Sequence, residues 1–208
     1  MKVGLVTQQF PSPEHPYITD WVLGLQQAGV ELTILAERLG PQAAEISQKE
    51  QLNIARLNDI HHPRSALSAQ GKAQGLPDLP RWADWMRQML ATQPKWVNAL
   101  RKGFEYLPLS RQAFDLLHFN APQIAIRRFE LGKLFGCPTL VSFRGQDISF
   151  HPERYDRLLR EADHLHFISQ DLLRQARARG FEGENFTLIP PLVEPAQAHI
   201  NMREIRMH

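Results

Sequence analysis

Short apolar runs recur along the chain, each closed by a glycine, a proline or a polar turn. Val3 to Val6 is the first, and a loop with Pro11, Pro13 and Pro16 follows it between Thr7 and Pro16. Tyr17 to Ala28 changes period: Tyr17, Ile18, Trp21, Val22 and Leu25 share one face, and Gly29 suits a helix stop. Glu31 to Ala36 and Leu52 to Leu57 read as further strands, separated by a polar, helix-permissive stretch. Asp115 to Phe119, Thr139 to Phe143, His164 to Phe167 and Phe186 to Ile189 continue the series. Helices are expected between them, one after Asn120 with Pro122 in its first turn and Gly136 at its end, one over Pro152 to Ala162, and one over Gln170 to Arg179. Strand–helix–strand alternation with short links predicts an α/β fold, a Rossmann-like doubly wound parallel sheet of about seven strands.

The middle of the chain breaks this rhythm. From His61 to Arg111, turn-rich pieces separate two predicted helices, Pro80 to Leu90 and Pro94 to Tyr106. Trp82, Trp85, Met86, Met89 and Leu90 form one apolar stripe, and Trp96, Val97, Leu100 and Phe104 form another, flanked by Lys95, Arg101 and Lys102. Two readings follow. The stripes pack on each other and on the sheet, or they form an interfacial face that meets a membrane surface.

Composition narrows the class. The chain has 208 residues, 43% of them apolar and 22% charged, with a formal net charge of +2. That is enough for one sizeable core and too little charge to imply nucleic acid. The single cysteine, Cys137, excludes an intrachain disulfide and a cysteine-built metal site. No signal peptide and no membrane span is visible, so the expected location is the cytoplasm. No G-x-G-x-x-G follows the first strand, which disfavours a nicotinamide or flavin enzyme.

The chemistry gathers where strands end. The run TLVSFRGQDIS, Thr139 to Ser149, turns from a buried strand into Arg144, Gly145, Gln146 and Asp147. In open α/β sheets ligands sit beyond the carboxyl ends of strands. Arg144 grips a phosphate or carboxylate with its planar fork, or else clamps Asp147. Gly145 permits close backbone approach or a positive φ. His118 either points into the cleft from its strand end or is structural, and Asn120 reads first as a helix cap. Gln8, Gln9, Phe10, Pro11, Glu14 and His15 belong to the first β-to-α loop, whose amides and carboxylate either meet a hydroxyl-bearing ligand or are simply solvated. Ser169 caps the helix that follows it.

The stretches QQFPSPE, DLLHFNAP, SFRGQDIS and ADHLHFISQDLLRQARARGFEGENFTLIPPLVEP, in this order and spacing, resemble the N-terminal, acceptor-side domain of family 4 retaining glycosyltransferases with the GT-B fold. The resemblance covers about residues 1–195. It implies a domain over 1–190 with a helical insertion at about 61–111, an interdomain linker over 191–208, and a donor domain outside this chain. It also implies a nucleotide-sugar co-substrate, a glycan or lipid-linked acceptor, no bound metal or other cofactor, and peripheral contact with the inner face of a membrane through 80–106. The sequence departs from the family pattern in the first loop, where Glu14 and His15 replace a serine and a glutamate, and at Arg144, where many relatives have histidine. The family's glutamates separated by seven residues belong to the donor domain. The two such spacings here, Glu37 with Glu45 and Glu153 with Glu161, match chance. On this reading the isolated chain is inactive. The alternatives are a docking subunit that recruits a separate donor domain, and a small enzyme in its own right, for which no P-loop, nucleophile elbow or acidic metal cluster speaks.

Overall fold

The computed structural model describes residues 1–57, 78–93, 95–145, 148 and 152–191. Gln146, Asp147, Ser149, Pro94, the turn-rich pieces before Asp78 and the tail from Leu192 lie outside the described residues.

Seven strands form one sheet: β1 (Lys2–Phe10), β2 (Glu31–Leu39), β3 (Asn53–Arg56), β4 (Leu116–Phe119), β5 (Thr139–Phe143), β6 (His164–Phe167) and β7 (Phe186–Leu188). Their spatial order is β3-β2-β1-β4-β5-β6-β7, and every neighbouring pair is parallel. The sheet therefore grows outward in both directions from β1 and β4. Those two strands are the topological switch point at which this architecture opens a crevice.

Alternation along the strands sorts side chains to two faces. Val3, Leu5, Leu32 and Ile34 face α1 (Tyr17–Gln27), whose Ile18 and Val22 are fully buried against them. Leu117, Phe119, Val141, Phe143, Leu165 and Phe167 face the larger opposite core. α2 (Ala43–Lys49) fills the polar stretch before β3.

The first strands run further than the apolar pattern indicated. β1 continues through Thr7, Gln8 and Gln9, and β2 through Glu37, Arg38 and Leu39, paired as Gln9 with Arg38 and Phe10 with Leu39. Backbone pairing holds this extension, so its side chains need not be apolar. The expected loop accordingly begins only after Phe10.

The inserted helices are α3 (Leu79–Thr92) and α4 (Trp96–Tyr106). Asp78 caps α3 by accepting from the Arg81 N–H at 3.1 Å. Trp85, Met86 and Met89 are buried as the stripe predicted, while Leu90 is exposed. On α4 the predicted stripe does not pack on the core as a unit: Leu100 is half-buried against it and the rest is largely exposed. Ala99, Gly103 and Tyr106, spaced by four and three residues, face the core. Trp96, Val97 and Phe104 are 66%, 55% and 48% exposed. Small residues let the two helices approach closely: a Cβ on Gly103 would stand 1.8 Å from Met86 Sδ. The Trp82 indole N–H donates to the Gly103 carbonyl at 2.7 Å across the same seam.

After β4 the expected single helix is two, α5 (Pro122–Arg128) and α6 (Glu130–Phe135), and Gly136 ends the second at φ +67°. Ala121, not Asn120, occupies the cap position of α5, and no side chain caps it. A short 3-10 turn over Pro152–Tyr155 leads into α7 (Asp156–Glu161). Ser169 accepts from the Leu172 N–H at 3.2 Å and caps α8 (Gln170–Ala178), as its position indicated.

Candidate functional site

A cavity of about 530 Å³ opens between the carboxyl ends of β1 and β4. Gln8 and Gln9 reach it from the end of β1, Glu14 and His15 from the loop that follows, Asn120 from the end of β4, and Arg144 from the end of β5. The structure thus gathers six of the residues singled out in the sequence around one opening. Amides, a carboxylate, an imidazole and a guanidinium offer donors and acceptors suited to a polyhydroxylated ligand.

Asn120 is the most telling of them. It is buried, its N–H donates to the Val6 carbonyl at 3.0 Å, and its Oδ1 has no partner among the described residues. A buried amide oxygen left unpaired costs about 1–3 kcal/mol, so such a group in a cavity wall marks a place where a ligand or water completes the bonding.

Arg144 lies over the Tyr17 ring, with its Cζ 5.2 Å from the centroid. Burial pulls its guanidinium below the ordinary value, opposed by Tyr17 through charge and a side-chain hydrogen bond, and the group remains a cation. Tyr17 therefore belongs to this cavity rather than to the core stripe of α1 on which the periodicity placed it; the side chain is 40% exposed. The alternative of a clamp between Arg144 and Asp147 falls outside the described residues. Gly145 sits at φ +70°, the left-handed region, next to this arginine.

The remaining predicted residues stand elsewhere. Phe10 is fully buried in the α1-side core. Pro11 is buried too, with its carbonyl against Gly40. Ser169 is occupied in capping. His118 is turned into the sheet. Its Nε2 lies 2.7 Å from Ser142 Oγ, which lies 2.9 Å from His166 Nδ1, and His166 Nε2 lies 3.1 Å from the Ile189 carbonyl. A carbonyl only accepts, so His166 carries its proton on Nε2 and accepts at Nδ1 from the Ser142 hydroxyl. Ser142 in turn accepts from His118 Nε2–H. Burial, then Arg144, then His166 lower the His118 pKa to about 3. It is a neutral structural imidazole, edge-on to Trp21 at 4.9 Å.

Sequence reasoning missed Arg38, which lines the cavity because β2 extends beyond Ala36. Extension of a strand by polar residues leaves no periodic signal. Arg38 also borders a second cavity, of about 440 Å³, between the end of β2, α4 and α5. Its deepest wall is a charged cluster. Arg128 pairs with Glu105 at 2.6 Å and with Glu37 at 3.1 Å, and its Nη1 donates to the Tyr106 hydroxyl at 3.3 Å. Arg127 holds the other oxygen of Glu37 at 2.7 Å, and Lys102 pairs with Glu130. Burial pushes the Glu105 carboxyl above its ordinary value, against the opposing charge of Arg128.

Among the described residues no group of three or more His, Cys, Asp or Glu side chains could hold a metal ion, and no helix is long and apolar enough to cross a membrane. The model of the Glycosyl transferase 4-like domain matches residues 15–191. No curated protein matches the chain. Among solved structures it is similar to Anabaena HepE in complex with UDP and glucose (11% identity, TM-score 0.51), covering 93% of this chain and 45% of that one. It is similar to a sucrose-phosphate synthase from Thermosynechococcus elongatus (16% identity, TM-score 0.54), covering 99% of this chain and 97% of that one. It is also similar to the lipopolysaccharide outer core galactosyltransferase WaaB in its apo form (10% identity, TM-score 0.52), with 93% and 46% covered. The chain spans about half the length of HepE and WaaB. At these identities the likeness is one of fold.

Proposed function

The chain belongs to the glycosyl transferase 4-like domain family, and from that premise we propose that it is the acceptor-binding domain of a retaining glycosyltransferase. The enzyme would move a sugar from a nucleotide-sugar to a glycan or lipid-linked acceptor, with the donor held by a further domain that faces this one. On this reading the domain proper is residues 1–190, with its insertion at about 61–111 and an interdomain linker over 191–208. The observation that carries the reading is the cavity at the switch point, where the unpaired Asn120 Oδ1 and the cationic Arg144 share one opening. The amides of Gln8, Gln9 and Asn120, with Glu14, bind acceptor hydroxyls. Arg144 faces the charge that develops on the leaving diphosphate, where a fixed cation in a site shielded from water favours bond breaking. Gly145 follows it at the end of β5, and Gln146 and Asp147, outside the described residues, are carried from the sequence as further candidate contacts.

The test is turnover by the whole gene product, read as nucleoside diphosphate released from a panel of nucleotide-sugars. Arg144→Gln lowers kcat by about 100-fold if the guanidinium stabilises the leaving group. Asn120→Ala raises KM for the acceptor. Loss of neither parameter in either variant sinks the site assignment, and hydrolysis by the 208-residue chain alone sinks the view that a further domain holds the donor.

A second reading rests on α4. Its exposed Trp96, Val97 and Phe104, flanked by the exposed cations Lys95 and Arg101, suit docking on an anionic membrane surface that carries a lipid-linked acceptor. Co-sedimentation with phosphatidylglycerol vesicles that is lost in Trp96→Ser supports it. Equal binding of both forms refutes it.

A further inference from the structure

We propose that the cavity between β2, α4 and α5 is a subsite for a phosphate or diphosphate group of the acceptor. The proposal rests on the acceptor-binding reading above and adds the chemical class of what is bound.

The charge inventory of this cavity is uneven. Five cations line it, Arg38, Arg101, Lys102, Arg127 and Arg128, together with two carboxylates, Glu37 and Glu105. Glu130 lies behind and takes Lys102. Five cations less three carboxylates leave a surplus of two. The surplus can be assigned to side chains: Glu37 and Glu105 are engaged by Arg127 and Arg128, while Arg38 and Arg101 have no carboxylate partner among the described residues. These two arginines come from different walls, one from the end of β2 and one from α4. Two guanidinium forks lining one cavity match the tetrahedral oxygens of a phosphate better than they match a neutral sugar.

The helix that supplies one wall also explains how the base of the cavity is held. α4 presents three faces. Ala99, Gly103 and Tyr106 lock it to α3 and the core. Trp96, Val97 and Phe104 face outward. Arg101, Lys102 and Glu105 line the cavity. Glu105 and Tyr106 bind Arg128 of α5, so the cavity is braced at its base. Ile126 is the one aliphatic side chain in the lining, so an alkyl chain finds little to bury against. A braced, polar, cationic recess fits an anionic group better than a lipid tail or an uncharged sugar. Gln8 and Arg38 line both this recess and the first cavity, so one acceptor can place a sugar in the first and its phosphate in the second.

The experiment is calorimetric titration of the 208-residue chain with inorganic pyrophosphate at low ionic strength. One site per chain is expected. Arg101→Gln and Arg38→Gln each weaken binding by about tenfold, as expected for the loss of one charge-assisted fork. Arg174→Gln, which removes a surface cation of α8 paired with Asp171, leaves it unchanged. Neither cavity arginine has an ion pair among the described residues, so unchanged circular dichroism and thermal midpoints accompany these losses. Absence of pyrophosphate binding at millimolar concentration overturns the proposal, as does binding that ignores Arg101. Glucuronate binding in place of pyrophosphate overturns the phosphate assignment. Phosphatidylglycerol vesicles that require both arginines while pyrophosphate does not bind would move the anion from acceptor to lipid headgroup, against the proposal. The transferase reading fails separately. If pyrophosphate binds through Arg38 and Arg101 but the whole gene product consumes no nucleotide-sugar, the anion site stands and sugar transfer falls. If sugars are transferred and Arg101→Gln leaves both pyrophosphate binding and acceptor KM unchanged, transfer stands and the subsite falls.

Discussion

Replacement of Arg128 by methionine is the sharpest test of how the insertion is held to the sheet. Arg128 is nearly buried and satisfies Glu105 of α4, Glu37 of β2 and the Tyr106 hydroxyl. Arg128→Met leaves Glu105, itself only 5% exposed, without its cation. Glu37 keeps Arg127. Breaking a buried pair from one side costs ~3–5 kcal/mol, because the stranded charge keeps its desolvation penalty. With a urea slope of ~2 kcal/mol per molar, the unfolding midpoint falls by ~2 M. Glu105→Leu removes the carboxylate and leaves Arg128 with Glu37 and the tyrosine; its cost is ~1–3 kcal/mol. The double variant replaces the Glu105–Arg128 pair by apolar side chains and is expected to be more stable than Arg128→Met alone. A cycle of the four proteins in urea, followed by circular dichroism, yields a coupling of at least ~1 kcal/mol. Costs that simply add, or an Arg128→Met cost below ~1 kcal/mol, would show that this cluster is screened by water and does not brace the cavity.

Three further outcomes follow from the same geometry. His118 titrates at about 3 when folded, against an ordinary 6.5. The unfolded chain therefore takes up a proton first as pH falls, and between those values this group removes ~1.4 kcal/mol of stability per pH unit; the urea midpoint of His118→Asn should fall less steeply from pH 6.5 to pH 4.5, and parallel slopes would refute the assignment. Gly40→Ala sets a Cβ 2.4 Å from the Pro11 carbonyl oxygen, a backbone atom that cannot swing aside. A cost of ~1–3 kcal/mol is expected, with weaker acceptor binding as the Ser12 to His15 wall shifts; a thermal midpoint equal to wild type contradicts it. Ser169→Ala removes the cap of α8 and costs ~1 kcal/mol, whereas Ser169→Asp retains most of it, a contrast a thermal melt resolves.

The sheet was legible because its strands are written as short, mostly apolar runs, such as Leu32 to Ala36, or as alternating ones, such as His164 to Phe167, and both patterns announce themselves without any partner. The strand ends were not. Thr7 to Gln9 and Glu37 to Leu39 pair through backbone atoms alone, and their polar side chains read as loop. Arg38 escaped notice for that reason. Periodicity also assumes that the most apolar face of a helix is the buried one. On α4 the buried seam is Ala99, Gly103 and Tyr106, two of them small enough to let the helices approach, while Trp96, Val97 and Phe104 stay largely exposed. Asn120 was read as a cap because asparagine before a proline-started helix usually is one. The chain enters α5 one residue later, and the side chain is left at the cavity instead. Arg144, Gln8, Gln9, Glu14 and His15 converged as their strand-end positions indicated, since the parallel topology brings all carboxyl ends to one edge.

Arg38 is a wall held in common, and two chambers divided by one charged partition cannot fill independently. An anion that engages its fork from one side withdraws part of that charge from the other, so two separate anions should hinder each other's entry. By thermodynamic reciprocity the hindrance is equal in both directions. A single molecule that spans the partition escapes this penalty and gains instead from being tethered, since its second contact forms at a high local concentration. The partition thus acts as a ruler. On the acceptor-binding reading proposed above, it would favour ligands whose anionic and sugar portions are separated by the thickness of one strand end over mixtures of the same two pieces, and selection among acceptors would become a matter of length as well as of charge.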